Sequence, residues 1–504
     1  MGRHSLIFSV RANLVERGSG AHRIATHLRE NDWDVEVIDF AAYWRLDQLQ
    51  ELSKSRITKD TVFIGFSSFF NHWNHILSAF TKWLKDTYPD IKIVLGGQSV
   101  ALTKAENIDY WVDSFGEVAM LELAKSFAGN TPVGLKFDLN FLGTKKLIKA
   151  VTSYPAYPLE SYKNILQTRD FVQPFEWLTT EFSRGCKFAC DFCNFPILGV
   201  KGDYSRSKAD FEYEMKYNYN KFGVKNYFVA DETFNDSVEK IIKFADVAEK
   251  LKFKPFFSGF QRADLMVSKP ESWEHIARLN FGGHYYGVES FNHQSAKVVK
   301  KGMHPDKLKQ GLLDIKSYLK SKIFYRGTIS LIVGLPHETK ESMQSTKDWL
   351  LENWIDESLV VFPLDLTDLN TSETANSYTN VSKFSQDLLK YGIRKMDIDP
   401  AAWGDFQYRY NWRIGNYFAD TFMWEHDTMN IFEAREISSD LQDMAQDILK
   451  TDCWALNTPA MNYNKNIDLA TSDDLLNKPK TQSLINIVTS YKFIDDYIQK
   501  KLNL

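Results

Sequence analysis

The chain has 504 residues, 44% of them hydrophobic and 14% aromatic, and a formal net charge of −4. That length allows several domains at the usual ~100–200 residues each, with enough apolar content for sizeable cores rather than disorder. The near-neutral balance excludes a general attraction to nucleic acid or anionic membrane, and with no signal-peptide core and no apolar run near the ~20 residues that span a bilayer, a cytoplasmic location and no membrane partner are expected.

Residues 5–125 alternate short apolar runs with helical stretches. Ser5 to Val10, Val35 to Phe40, Thr61 to Phe66, Ile91 to Leu95 and Tyr110 to Val112 are predicted strands, and Ala21 to Glu30 and His72 to Lys85 are predicted helices. The alternation predicts an α/β, doubly wound, Rossmann-like domain over residues 1–130, with ligand sites in the loops beyond the carboxyl ends of its strands. Those loops carry Asn13; Ser67, Ser68, Asn71, His72 and Trp73; Gly96, Gly97 and Gln98; and Gly116 and Glu117. Gly96 and Gly97 allow a bulky ligand to approach the backbone. His72 and Trp73 have a second reading, as the start of a helix packed against a neighbour.

Residues 131–174 are read as a connector, with Pro132, Pro155, Pro158 and Pro174 interrupting any sustained period. Next comes a short predicted strand, Trp177 to Phe182, and at its end Ser-Arg-Gly-Cys-Lys-Phe-Ala-Cys-Asp-Phe-Cys holds Cys186, Cys190 and Cys193. Three thiolates so close can wrap one iron-sulfur cluster and leave one iron open for a ligand that is not protein. A structural zinc site closes with four ligands, and no second Cys-x-x-Cys pair stands nearby. Spacing alone leaves buried, unligated thiols as the alternative.

Further strand ends follow at the interval of a strand-helix repeat. Tyr227 to Ala230 runs into Asp231 and Glu232; Phe256 to Phe260 into Gln261, Arg262 and Asp264; His284 to Val288 into Glu289 and Ser290, with Lys301 a helix later. Phe324 to Val333, which includes Arg326, ends in Gly334-Leu335-Pro336, and Leu359 to Phe362 is a sixth predicted strand. These units predict a partial (β/α)6 barrel over residues 175–368, with its site at the carboxyl ends of the strands. Each residue alone has an ordinary reading: Glu289 as a salt-bridge partner, Gly334 and Pro336 as a turn.

The cysteine loop, matching Cys-x3-Cys-x-aromatic-Cys with Phe192 as the aromatic residue, resembles the radical S-adenosylmethionine (SAM) enzymes. The resemblance implies a [4Fe-4S] cluster on Cys186, Cys190 and Cys193 whose open iron chelates SAM, and an external one-electron reductant such as flavodoxin or ferredoxin. It further implies that Phe192, Asp231, Glu232, Arg262, Glu289, Ser290, Arg326 and Leu335 line the SAM site.

With that core behind it, the N-terminal domain resembles the cobalamin-binding domain of one large class of these enzymes. Asn13, Ser67, Ser68, Asn71, His72, Trp73, Gly96, Gly97, Gln98, Gly116 and Glu117 are then the expected cobalamin contacts. The Asp-x-His-x-x-Gly motif that supplies a cobalt-ligating histidine elsewhere is absent from the first loop. The two cofactors imply methyl transfer from cobalamin to a substrate carbon radical. A non-methylating rearrangement or oxidation, with or without cobalamin, stays open, as does a non-catalytic iron-sulfur module. The substrate stays unidentified: a small molecule, a nucleotide or a peptide.

Residues 369–504 are expected to form a mainly helical cap over the open barrel. Trp403 to Trp412 and Tyr417 to Trp424 are aromatic enough either to stack on a planar substrate or to form core, and Cys453 reads as an incidental thiol.

Overall fold

The computed structural model describes residues 3–10, 17–68, 73–97, 105–137, 146–149, 163–188, 204–231, 233–364, 366–367, 388, 390–397, 421–449 and 479–504. Two six-stranded parallel sheets organise them. The first comprises β1 His4–Val10, β2 Asp34–Ile38, β3 Thr61–Ser68, β4 Lys92–Gly97, β5 Tyr110–Asp113 and β6 Lys146–Lys149, in the order β2-β1-β3-β4-β5-β6. Its central strands read as unbroken apolar or small runs because helices cover both faces; Ser5 to Val10 are all buried. α1 Ser19–Arg29 packs Ala21, Ala25 and Leu28 on one face, while α2 Leu46–Arg56 and α3 His75–Thr87 bury Leu49, Leu52, Leu77, Phe80 and Leu84 on the other. α4 Glu117–Gly129 follows β5.

Chain direction reverses its progress across this sheet between β1 and β3, which opens a crevice beyond their carboxyl ends. β6 falls in the stretch expected to be connector. Its four residues, Lys-Leu-Ile-Lys, are too few to carry a period, yet they pair in register with Tyr110–Asp113.

The second sheet comprises β7 Trp177–Thr180, β8 Asn226–Val229, β9 Phe256–Arg262, β10 Phe281–Glu289, β11 Arg326–Val333 and β12 Ser358–Pro363, each paired in parallel with its neighbour in sequence. This is the expected open (β/α)6 arrangement. α5 Lys208–Phe222, α6 Val238–Ala248, α7 Ala263–Ser268, α8 Ser272–Leu279, α9 His293–Val298, α10 Pro305–Lys320 and α11 Lys340–Asn353 lie between the strands in sequence. Polar side chains start several of them: Ser207, Ser237 and Thr339 accept the backbone N–H of Asp210, Lys240 and Ser342.

Strand alternation sorts the barrel residues. Tyr227, Phe257, Tyr286, Ile329 and Leu331 belong to the large core under the helices. The opposite face carries Thr179, Phe228, Ser258, Phe260, Arg262, Tyr285, Thr328 and Ser330, as the register requires.

The C-terminal region divides. α12 Ile431–Asp447 packs against β11 and β12, and Trp424, fully buried, donates its indole N–H to Leu364 O at 2.8 Å, a core position. α13 Pro479–Leu502 does not cover the barrel. Its Phe493, Ile494, Tyr497 and Ile498 join Phe40, Trp44 and Leu49 in the core of the N-terminal domain. The apolar spacing 493, 494, 497, 498 gives one helix face, but periodicity does not name the sheet that receives it. Residues 401–420 and Cys453 lie outside the described residues.

Candidate functional site at the barrel mouth

Cys186 stands just beyond the carboxyl end of β7, six residues after Thr180. Its partly buried sulfur accepts the Phe188 backbone N–H at 3.5 Å and lies 3.3 Å from the Thr233 hydroxyl, a contact in which either atom can donate. An N–H donor aimed at sulfur, with a hydroxyl able to donate as well, suits a thiolate, the form that ligates metal, so the position fits a cluster ligand. Cys190, Phe192, Cys193 and Glu232 lie outside the described residues.

Asp231 shapes the approach to that loop. It accepts the backbone N–H groups of Phe182 and Ser183 at 2.8 and 2.9 Å and the Ser183 hydroxyl at 2.7 Å. Burial pushes its carboxyl up to about 6, against the pull of Lys240. Both its oxygens are therefore engaged by the protein. Lys240, 1% exposed on α6, donates to Ser183 Oγ at 2.9 Å and Thr233 O at 3.0 Å and pairs with Asp236 at 2.6 Å.

A line of charged contacts continues across the mouth. The Arg262 guanidinium lies 4.0 Å from the centre of the Phe188 ring and forms a two-pronged pair with Asp264 at 3.0 and 2.5 Å. Burial would raise the Asp264 carboxyl, but Arg262 and then Lys301 outweigh it and hold it low. Lys301 also pairs with Glu289 at 3.3 Å and donates to Gly287 O at 3.0 Å. Glu289 holds a left-handed backbone, φ 67°, at the last position of β10, a conformation a non-glycine residue keeps only where its surroundings enforce it. Below these charges, Phe260 meets Tyr285 edge-on at 4.8 Å and Phe228 at 5.7 Å.

The Gly-Leu-Pro turn is fixed from beneath. Glu338 accepts the Ser290 hydroxyl at 2.6 Å and the N–H groups of Gly334 and Leu335 at 2.8 and 3.2 Å, and burial pushes its carboxyl up to about 7. Gly334 has φ 98°, and a Cβ there would meet the Trp424 ring at 2.3 Å, so only glycine fits. Ser290 and the fully buried Leu335 thus meet at Glu338.

Arg326 is not brought to this mouth. It is the first residue of β11, at the opposite end of the sheet, where it donates to Asp356 O at 2.8 Å. A strand that begins two residues later than Phe324 places its arginine at the base of the barrel.

The N-terminal domain reaches the same place. Arg184, two residues before Cys186, donates to Glu117 Oε1 at 2.8 Å and to Glu181 at 2.6 Å, and lies over the Phe115 ring at 4.1 Å. Arg23 of α1 pairs with Glu181 at 3.0 Å. Burial would raise Glu181, yet Arg184 and then Arg23 hold it at about 2. Glu117 therefore faces the cysteine loop. Nearby, buried Arg17 joins Asp39 at 2.6 Å and Glu176 at 2.6 Å, and Asp39 also meets His22 at 3.0 Å.

Among the other expected cobalamin contacts, Ser67 and Ser68 end β3 at the crevice. Ser68 Oγ is buried with no hydrogen-bond partner among the described residues, a polar atom that suits a ligand's hydrogen-bonding group and so fits the crevice to a polar cofactor. Gly97, φ 141°, lies so close to Ser68 O that a Cβ would stand 1.9 Å from it, and Gly96 precedes it on β4. Gly116 leads into α4. Trp73 packs edge-on against Phe66 and donates to Ser78 Oγ at 2.9 Å, the packing alternative. Asn13, Asn71, His72 and Gln98 lie outside the described residues.

Thr233, Lys240, Asp236, Glu181 and Arg184 were not singled out from sequence. A lysine at 240 in line with Phe244 and Val247 on the buried face of α6 is a signal of a buried charge. Nothing in the spacing links Arg184 to Glu117.

A parallel partial barrel with a cysteine at its mouth, backed by a doubly wound domain, defines a class. Residues 180–350 match the Radical SAM superfamily, so the chain carries a radical SAM domain, an enzyme domain that implies a [4Fe-4S] cluster and SAM. It is 25% identical over 358 residues, 65% of this chain and 71% of the relative, to an uncharacterized methyltransferase of Pyrococcus horikoshii. It is 23% identical over 244 residues, 45% of this chain and 48% of the relative, to the anaerobic magnesium-protoporphyrin IX monomethyl ester cyclase of Synechocystis sp..

The whole fold is that of two solved enzymes. One is the radical SAM methyltransferase TsrM from Kitasatospora setae, described with tryptophan and a SAM analogue: TM-score 0.61, 14% identity, 99% of this chain and 100% of that one. The other is the cobalamin-dependent radical SAM enzyme OxsB, described with aqua-cobalamin and SAM: TM-score 0.60, 14% identity, 99% of this chain and 72% of that one.

Proposed function

We propose that the chain is a cobalamin-dependent radical SAM methyltransferase that acts on an unactivated carbon. The observation that carries this reading is the buried Arg184–Glu117 pair, which ties the loop of Cys186 to the strand-end loop of the N-terminal sheet. A ligand held in that crevice and one held at the barrel mouth would share a single cavity. When bound, the cluster supplies the electron that cleaves SAM to a 5'-deoxyadenosyl radical, and cobalamin carries the methyl group.

The protein's part is placement. Cys186, with Cys190 and Cys193, would hold the cluster. Arg262, Glu289 and Ser290 would line the SAM site, with that rim held by the paired charges Arg262–Asp264 and Lys301–Glu289. Ser67, Ser68, Gly96 and Gly97 would border cobalamin. Phe228, Phe260 and Tyr285 would form the floor beneath the substrate. Asp231 serves by holding residues 182 and 183, and so the start of the cysteine loop.

Radical SAM chemistry draws on an external reductant, for which flavodoxin or ferredoxin is the expected type. No helix among the described residues is long and apolar enough to cross a membrane. Similarity to a cyclase as well as to methyltransferases supports a second reading, a non-methylating radical reaction on the same scaffold. Anaerobic turnover with reductant, methyl-labelled SAM and candidate substrates separates the two. Formation of 5'-deoxyadenosine and S-adenosylhomocysteine together, with label in the product, supports methylation; 5'-deoxyadenosine alone supports the second reading, and neither product refutes both.

A further inference from the structure

We infer that Thr233 and Lys240 tune the electron affinity of the iron-sulfur cluster through the sulfur of Cys186, an inference that rests on Cys186 being a cluster ligand. Thr233 Oγ1 lies 3.3 Å from Cys186 Sγ, within hydrogen-bonding reach of a sulfur acceptor. A ligating thiolate has no proton of its own, so in the loaded protein the hydroxyl is the donor. The orientation of that hydroxyl is set from below: Lys240 Nζ donates to the backbone carbonyl of the same Thr233 at 3.0 Å and to Ser183 Oγ at 2.9 Å.

Lys240 is an unusual choice for this place. It occupies the apolar face of α6, next to Ile241 and in line with Phe244, where a charge loses almost all its hydration. Three fixed groups hold it there: the two acceptors above and Asp236, 2.6 Å away. Asp236 is itself shared with Lys187 of the cysteine loop, 3.8 Å away. Two cations thus face one carboxylate beside Cys186, while Asp231 spends its oxygens on residues 182 and 183.

Reduction adds one electron, supplied by the external reductant, to a cluster that already carries negative charge with its thiolates. A hydroxyl proton directed at a ligating sulfur and a buried cation nearby both stabilise the reduced form and raise the reduction potential. The low local polarity strengthens both effects. A purely structural network would hold the loop equally well with a methyl group in place of the Thr233 hydroxyl, because the backbone carbonyl that binds Lys240 is unchanged. The O–H···S contact would be lost.

The test compares wild type with Thr233→Val, Thr233→Ser, Lys240→Arg and Cys186→Ala in the full-length, anaerobically reconstituted protein. Iron and sulfide are quantified first, and the cluster midpoint is then read by a redox titration followed by electron paramagnetic resonance. The inference predicts wild-type iron and sulfide in Thr233→Val with a midpoint shifted to more negative potential, and midpoints close to wild type in Thr233→Ser and Lys240→Arg. An unshifted midpoint in fully loaded Thr233→Val overturns it. So does loss of iron from Thr233→Val, which would make the hydroxyl a loading contact. Full iron retention in Cys186→Ala would overturn the underlying ligand assignment, and that result is read from iron alone.

Discussion

Arg184 Nη2 donates to Glu117 Oε1 at 2.8 Å with both side chains buried, so the residue two before Cys186 is held by the first residue of α4. The same guanidinium takes Glu181, which Arg23 also holds. Two carboxylates and two guanidinium groups alternate across the junction between the sheets.

Arg184→Ala leaves Glu117 and Glu181 buried with a cation fewer. Breaking a buried pair from one side costs on the order of 3–5 kcal/mol, so a marked loss of stability in urea denaturation is expected. Glu117→Gln, which keeps a hydrogen-bond acceptor, is expected to lose less. Equal stability of Arg184→Ala and wild type would remove the junction from the account.

The pH dependence of Glu338 has a defined sign. Burial raises its carboxyl from the ordinary 4.5 to about 7 in the folded chain, so the folded state keeps a proton that the unfolded state has released. Stability from this group is present below about 4.5 and is lost as pH rises toward 7, by roughly 3 kcal/mol in all. Glu338→Gln has no proton to lose, and its amide can still serve Ser290 and the Gly334 N–H. Its stability relative to wild type is expected to improve between pH 5 and 8 in parallel denaturation curves.

His284 acts with the opposite sign. It is fully buried, with its ring stacked 5.5 Å from Tyr286, and burial lowers its pKa to about 3. The unfolded chain takes up a proton below about 6.5 that the folded chain refuses, so stability falls as pH drops from 6.5 toward 3, by about 1.4 kcal/mol per unit. His284→Phe is expected to flatten that acid limb, measured by denaturant midpoints from pH 4 to 7.

The C-terminal helix supplies another test. Tyr497 OH accepts the backbone N–H of Asp39 at 2.9 Å, from 458 residues away in sequence, and Lys501 pairs with Glu36 at 2.8 Å. Tyr497→Phe leaves a buried N–H without its acceptor, at a cost of about 1–3 kcal/mol. Truncation after residue 478 is expected to expose Phe40 and Trp44 and raise binding of an apolar dye.

What the sequence disclosed follows from how the elements are covered. Strands such as Ser5 to Val10 lie between two layers of helix, and Tyr227 to Ala230 lies between helices and the aromatic barrel interior, so their apolar runs stand out, and the strand-end motifs follow at barrel intervals. β6 escaped because Lys146 and Lys149 bracket only two apolar residues. α2 escaped because its buried Leu49 and Leu52 sit among charged and polar neighbours. The docking of α13 on the first sheet, and the Arg184–Glu117 pair, depend on contacts between residues far apart in sequence. Arg326 was misplaced because its strand starts later than its apolar run.

The proposed function requires one chain to hold an iron-sulfur cluster and cobalamin together. Anaerobic reconstitution with iron, sulfide and hydroxocobalamin, then desalting and metal quantification, tests it in wild type and in a Cys186/Cys190/Cys193→Ala variant. Roughly four irons and one cobalt per wild-type chain are expected, with the variant losing iron and keeping cobalt. Iron without cobalt in the wild type would contradict it and leave a radical SAM enzyme whose N-terminal domain serves only as a scaffold.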